Sequence, residues 1–353
     1  MPERGAAPTF QRASRLPNAG TSDRNPVKQL VAIGASAGGV SALSALAARL
    51  PPDFAAPLLV VLHIGAHRSL LADILGGAGP LPAEEARQGQ RIEAGRIYVA
   101  APDRHLLVVD DTLHLSRGAK EHHTRPAIDP LFLSAALARG TRAIGVILTG
   151  RLDDGTAGLQ AIKACGGTAV VQDPADAEVP DMPASALRDV EVDHCVPLAE
   201  MPHLLTSLAS RRVEDVAGRP PPAPLVHEQA LFLAEGDPME HLGQLGAPSA
   251  YACPECHGGL WEVSGTRPRR FRCHTGHAFS VRTLQDTLAG AADESLWVAR
   301  RALQERLLLL REMAAAPTAE SLERDAVRGA AARLQQQLSQ LESLMARGPD
   351  PVE

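Results

Sequence analysis

With 353 residues and 45% hydrophobic content, the chain is long enough for two domains, or for one domain and an accessory module, with a sizeable core. A formal net charge of -6 argues against the broad basic surface that nucleic-acid binding requires. No run reaches the roughly 18 apolar residues of a membrane span, and the N-terminus lacks the apolar centre of a secretory signal.

Residues 1–27 are rich in Pro, Gly, Ser and Arg, show no apolar period and are expected to form a disordered tail. From residue 28 to 211, short apolar runs (LVAIGA, LLVVLH, IYVA, LLVV, AIGVILTG, TAVVQD) alternate with helical stretches such as GGVSALSALAARL and DPLFLSAALARG. Runs rich in Val and Ile suit buried parallel strands, and strand–helix alternation predicts an α/β fold with a doubly wound parallel sheet. Residues 212–250 read as a linker, stiffened by the prolines of GRPPPAP. Residues 251–280, rich in Cys and His, are expected to form a small zinc-ribbon-like segment. Residues 281–347 read as a helical hairpin or coiled-coil tail, with Leu296, Leu303, Leu307 and Leu310 at helical spacing, then Leu334, Leu338, Leu341 and Met345 after a break at Pro317. Such a tail offers a surface for self-association.

Two clusters carry chemistry. The string Gly34-Ala35-Ser36-Ala37-Gly38 stands between an apolar strand and a helix and fits G-x-S-x-G, in which a turn exposes the serine Oγ and helix N–H groups face a developing oxyanion. His63 ends the next strand, and Asp153 and Asp154 follow AIGVILTG. In a doubly wound sheet these carboxyl ends line the ligand crevice, and Ser, His and an acid are what nucleophilic catalysis needs there. On the residues alone His67, His105, His122 and His123 rival His63 as base, and either aspartate could instead cap a helix. The order Ser…His…Asp differs from that of α/β-hydrolases.

In the second cluster, Cys253-Pro-Glu-Cys256 is a C-x-x-C knuckle and Cys273-His274-Thr-Gly-His277 follows. Three thiolates and an imidazole suit a structural, four-coordinate Zn²⁺. The expected ligands are Cys253, Cys256, Cys273 and His277, because C-x-x-x-H lets the ring turn back where the adjacent His274 is strained; His257 ranks below both. Cys165 and Cys195 stand alone, so the five cysteines fit a reducing, cytoplasmic setting rather than a disulfide framework.

GASAGG, the histidine ending LLVVLH, TGRLDDGTAG and DMPASA together resemble, in order, the landmarks of the CheB protein-glutamate methylesterase catalytic domain over roughly residues 28–210. The resemblance implies a doubly wound sheet distinct from the α/β-hydrolase fold. It implies hydrolysis of glutamyl methyl esters on a methylated helical protein such as a chemoreceptor, with glutamine deamidation in some members and no catalytic cofactor. Mapped onto this chain, it makes Ser36 the nucleophile, His63 the base and Asp154, which directly precedes glycine, the acid. The backbone N–H groups of Ala37 and Arg151 become the oxyanion donors, and Met182-Pro183 a packing element beside the crevice. Relatives that serve chemotaxis carry a receiver domain before the catalytic one. Only a short tail precedes Gln29 here, so a stand-alone catalytic domain is expected, with the C-terminal module as the element that docks on it and controls access. Two other readings compete: a non-enzymatic scaffold binding a partner through the zinc and helical segments, and a phosphate-binding protein using GASAGG, which lacks the G-x-G-x-x-G spacing and a Walker lysine.

Overall fold

A computed structural model describes residues 29–65, 67–211, 220–315 and 321–347. The expected N-terminal tail and the break at Pro317 lie outside the described residues. The chain begins with β1 (Leu30–Ala35), α1 (Gly39–Ala47), β2 (Leu58–Leu62), α2 (Leu71–Ala78), β3 (Ala83–Glu85) and β4 (Ile97–Val99). A hairpin of β5 (His105–Val109) and β6 (Thr112–Ser116) leads to α3 (Ile128–Arg139), β7 (Ala143–Ile147), α4 (Thr156–Ala164), β8 (Thr168–Gln172), α5 (Asp181–Asp189), β9 (His194–Val196) and α6 (Met201–Ser210).

Seven of these strands pair in parallel in the order β3-β4-β2-β1-β7-β8-β9. Side chains alternate across the sheet, so each strand feeds two cores. Leu30 and Ala32 of β1 join Leu59 and Val61 of β2 on the face covered by α3 and α4. Val31, Ile33 and Ala35 join Leu58, Val60 and Leu62 on the opposite face, with α1, α2 and α6. From β1 the chain steps to β2 on one side and later returns to β7 on the other. The switch point therefore lies between β1 and β7, the position beyond whose strand ends doubly wound sheets bind their ligands.

The LLVV run departs from the parallel reading. It is β5, paired antiparallel with β6 around Asp110-Asp111, outside the main sheet. A two-residue turn can join only antiparallel strands, and Asp110 takes the left-handed conformation (φ 51°) that such turns favour.

The stretch read as a linker holds α7 (Ala223–Leu233), α8 (Pro238–Leu245) and β10 (Gly246–Ala252). Helix α7 packs on the main domain: Phe232 is buried in its core, and Ser116 Oγ donates to the Phe232 carbonyl at 2.8 Å. Strands β11 (Gly259–Val263), β12 (Arg270–Cys273) and β13 (Ala278–Ser280) complete a four-stranded antiparallel sheet with β10. Helices α9 (Val281–Ala315) and α10 (Ser321–Met345) follow. They run antiparallel, with Arg300 pairing with Glu342 and Arg311 with Gln335, around Leu307, Leu334 and Leu338. Among the described residues no helix is long and apolar enough to cross a membrane.

Candidate active site and metal cluster

Ser36 follows β1 directly, and its backbone N–H donates to the Thr149 carbonyl beyond β7 at 3.0 Å. The Thr149 hydroxyl donates to the Ala37 carbonyl at 2.9 Å, so the loops after β1 and β7 hold each other. Gly38 (φ 75°) makes the turn into α1. Gly150 is required by crowding: a Cβ there would lie 2.1 Å from Met182 Sδ and 2.8 Å from Ser36 Cβ. Met182, fully buried, thus packs beneath the serine loop.

His63, at the end of β2, reaches both neighbours. Its Nδ1 lies 3.1 Å from Ser36 Oγ and its Nε2 2.7 Å from Asp154 Oδ2. A carboxylate only accepts, so Nε2 carries the proton toward Asp154 and Nδ1 is left to accept from the serine. Asp154 is buried, and it accepts two further bonds from the first turn of α3: the Ile128 N–H at 2.7 Å and the Asp129 N–H at 3.1 Å. Those amides sit at the positive end of a helix. Burial pushes the Asp154 carboxyl up, but the His63 hydrogen bond, the charge of His122 and the Ile128 amide outweigh it. The net result holds Asp154 well below the usual carboxylate range. The close approach of α3 depends on Gly34, where a Cβ would lie 2.4 Å from Ile128 Cγ2.

The rival histidines do not reach Ser36. His67 is exposed. His105 is buried, donates from Nε2 to the Ala119 carbonyl at 2.9 Å, accepts the Ala127 N–H, and is held down to about 4, chiefly by burial. His123 pairs with Glu255. His122 is buried, pairs through Nε2 with Asp129 at 2.9 Å and lies 3.8 Å from Asp154 Oδ1. Asp153 turns away from His63 and accepts from Ser280 Oγ at 2.8 Å. The backbone N–H groups of Ala37 and Arg151 have no backbone partner among the described residues. Sequence reasoning named His122 only as a rival base and missed the other supporting parts of this site: Asp129, Thr149 and the α3 amides. The RPAID run opening α3 was the local sign of Asp129 and the α3 amides.

At the strand ends of the four-stranded sheet, Cys253 and Cys256 after β10, Cys273 ending β12 and His277 before β13 offer four ligand atoms within 4.8 Å of one another. Cys256 Sγ is 3.7 Å from Cys273 Sγ, and His277 Nδ1 lies 3.7 Å from Cys253 Sγ and 3.5 Å from Cys273 Sγ. Zn–S bonds of about 2.3 Å at tetrahedral angles put sulfurs about 3.8 Å apart, so the donor set fits that ion. His274 is exposed and outside the cluster.

Fold and site together define a doubly wound α/β protein with a Ser–His–Asp hydrogen-bonded line at the switch point of its sheet. Residues 31–205 match the family described as CheB methylesterase. A relative from Leptospira interrogans, provisionally named a protein-glutamate methylesterase/protein-glutamine glutaminase, is 39% identical over 188 residues, covering 53% of this chain and 97% of the relative. Protein-glutamate methylesterase/protein-glutamine glutaminase 2 of Anaeromyxobacter dehalogenans is 41% identical over 181 residues, covering 51% of this chain and 53% of that protein. The crystal structure of the Thermotoga maritima CheB methylesterase catalytic domain is similar with a TM-score of 0.50 and 32% identity, covering 52% of this chain and 99% of that one. The chain belongs to the CheB methylesterase family.

Proposed function

We infer that this chain hydrolyses methyl esters of glutamyl side chains on a protein substrate, with methylated chemoreceptor helices as the substrate class the family resemblance names. The unbroken line from Ser36 Oγ through His63 to Asp154 is the observation that carries this reading. His63 Nδ1 takes the Ser36 hydroxyl proton as Oγ attacks the ester carbonyl. Asp154 holds the opposite ring nitrogen and stabilises the imidazolium that forms. The backbone N–H groups of Ala37 and Arg151 receive the oxyanion. Collapse of the tetrahedral intermediate expels methanol, which leaves with the proton from His63. Water then gives its proton to His63 and attacks the glutamyl-enzyme, and Ser36 regains its proton on leaving. A glutamine side chain would follow the same course with ammonia as the leaving group.

Methanol release from methylated receptor membranes tests this reading. The intact chain should release methanol, and Ser36→Ala should lower turnover by about 10⁴-fold or more. Labelling of Ser36 by a fluorophosphonate without methanol release would keep the hydrolase and reject the substrate. Absence of both would favour a scaffold.

Cys253, Cys256, Cys273 and His277 hold a structural Zn²⁺ in the same reading. Four protein ligands leave no open position for catalysis, and the bound ion would fix the ends of β12 and the C-x-x-C knuckle. One zinc per chain by elemental analysis, lost in Cys253→Ser, is the expected result; a metal-free chain with wild-type stability would sink it.

A further inference from the structure

The Asp154 end of the line is walled by residues more than a hundred positions later in the chain. Ser280 closes β13 and caps α9: its Oγ accepts the Thr283 N–H at 3.1 Å and donates to Asp153 Oδ1 at 2.8 Å. Thr283 Oγ1 lies 3.2 Å from Asp153 Oδ1 and 3.2 Å from His122 Nδ1. Asp153 can only accept, so the Thr283 hydroxyl donates to it and accepts from His122 Nδ1–H. His122 Nε2–H donates to Asp129. Both ring nitrogens then carry protons, and the charge rests beside Asp154.

The backbone shows the same dependence. His122 and His123 both adopt left-handed conformations (φ 48° and 64°), which non-glycine residues hold only where their surroundings impose it. What imposes it is β13: the His122 N–H donates to the Ala278 carbonyl at 2.9 Å, and Glu121 bridges Ala278 in parallel. Glu121 is fully buried and paired with Arg272 of β12 at 2.6 Å. The C-terminal sheet thus sets where His122 stands.

We propose that Thr283 and Ser280 are positioning residues of the active site, holding His122 and Asp153 in the arrangement that keeps Asp154 aligned on His63. This rests on the triad reading above. The C-terminal segment is then a working wall of the catalytic site, contributed by residues outside the family-matched region.

The test uses the full-length chain with Thr283→Val, Thr283→Ser and Ser280→Ala, measuring kcat and KM for methanol release and the rate of Ser36 labelling by a fluorophosphonate. Thr283→Val should lower kcat about 10- to 100-fold with KM little changed, as misplacement of a catalytic group does. Thr283→Ser should restore most of the rate, because the hydroxyl and not the side-chain volume matters. A wild-type kcat in Thr283→Val, or a Thr283→Ser as slow as Thr283→Val, overturns the proposal. Should Thr283→Val fail to fold, Ser280→Ala carries the test. It keeps the Thr283 hydroxyl and removes one of Asp153's two donors, so an unchanged kcat there overturns the proposal as well. Failure of the wild-type chain itself to label would reject the triad reading, whereas labelling with no effect of the variants would reject the positioning role alone.

Discussion

The parallel sheet buries unbroken aliphatic strands, whereas the sheet of β10–β13 buries charges. Every residue of β1, β2 and β7 is buried, and all are aliphatic or glycine. Each buried Val, Leu or Ile among them contributes about 1.5–3 kcal/mol through the area it removes from water. The smaller sheet has a core of little more than Leu260, Phe271, Phe279 and Leu284 around its cysteines. It adds Arg270 and Arg272 of β12, buried against Glu228 of α7 and Glu121 of the main domain. A buried ion pair gives little net stability over an apolar one, because desolvation cancels most of the attraction. It does make one docking arrangement far better than any other, since separation or misregister leaves a charge alone. The large sheet is thus held by area, whereas matching charges fix where the small one docks, and its four donors suit a metal.

The comparison breaks most sharply at the Ser36–His63–Asp154 line, whose proposed activity should be lost without any loss of fold. Asp154→Asn keeps the size of the side chain but removes the charge that orients His63. It should lower kcat by about 10⁴-fold, measured as methanol release, with thermal unfolding showing the chain intact. An Asp154→Asn variant of near wild-type rate would mean that the acid of the line is a structural cap on α3 and nothing more.

Next in size is the charge cluster. Arg272→Ala leaves Glu121 and Glu228 short of a buried partner and should destabilise the C-terminal segment by about 3–5 kcal/mol. Both tryptophans, Trp261 and Trp297, lie in that segment, so their fluorescence in urea reports it selectively while circular dichroism reports the whole. Separated transitions in the variant would mark the small sheet as the weaker unit. A single wild-type transition would mean that the arginine is dispensable.

Gly150→Ala is expected to lower kcat by about 10²-fold, because the added Cβ must push Met182 or Ser36 aside and small displacements of a nucleophile are costly. Fluorophosphonate labelling of Ser36 should slow in parallel. A smaller effect attaches to His122. Burial lowers its basicity, but Asp129, Asp154 and Asp153 outweigh this and raise it to about 10. A group raised in the folded state contributes fully below its ordinary value of 6.5, and its contribution fades as pH climbs toward 10. Stability of the wild-type chain should therefore fall between pH 7 and 10 by at most about 1.4 kcal/mol per unit from this source. In His122→Gln that part of the slope should vanish. Parallel slopes in the two proteins would place the charge elsewhere.

Much of this molecule is legible in its sequence where local chemistry decides the outcome. Unbroken Val/Ile runs mark the inner strands, Gly-rich turns mark their carboxyl ends, and the C-x-x-C and C-x-x-x-H spacings mark the four donors that come together. LLVV misleads because apolar content alone does not separate a parallel strand from a hairpin arm; the short Asp110-Asp111 turn was the discriminating sign. What no window of sequence reveals is the chemistry of docking. Glu121, Glu228 and Arg272 look like ordinary surface charges, and Ser280 and Thr283 like an ordinary helix cap, until the fold sets them against one another. The role of His122 depends on residues from three separate stretches of chain, a juxtaposition that periodicity cannot encode.

The smallest expected effect is at the far end of the C-terminal segment, where charges face water. Arg300 of α9 pairs with Glu342 of α10 at 3.1 Å, with both side chains partly exposed. An exposed pair gains little, since water already solvates both groups and holding two long side chains costs entropy. Glu342→Gln should therefore shift the urea midpoint by no more than about 0.5 kcal/mol equivalent, against several for Arg272→Ala. The contrast turns on burial above all: Glu342→Gln takes the charge from one exposed partner, whereas Arg272→Ala takes a buried arginine from two glutamates. If Glu342→Gln proved as damaging as Arg272→Ala, the hairpin and not the charge cluster would be what holds the C-terminal segment together, and Leu307, Leu334 and Leu338 would be the next residues to vary.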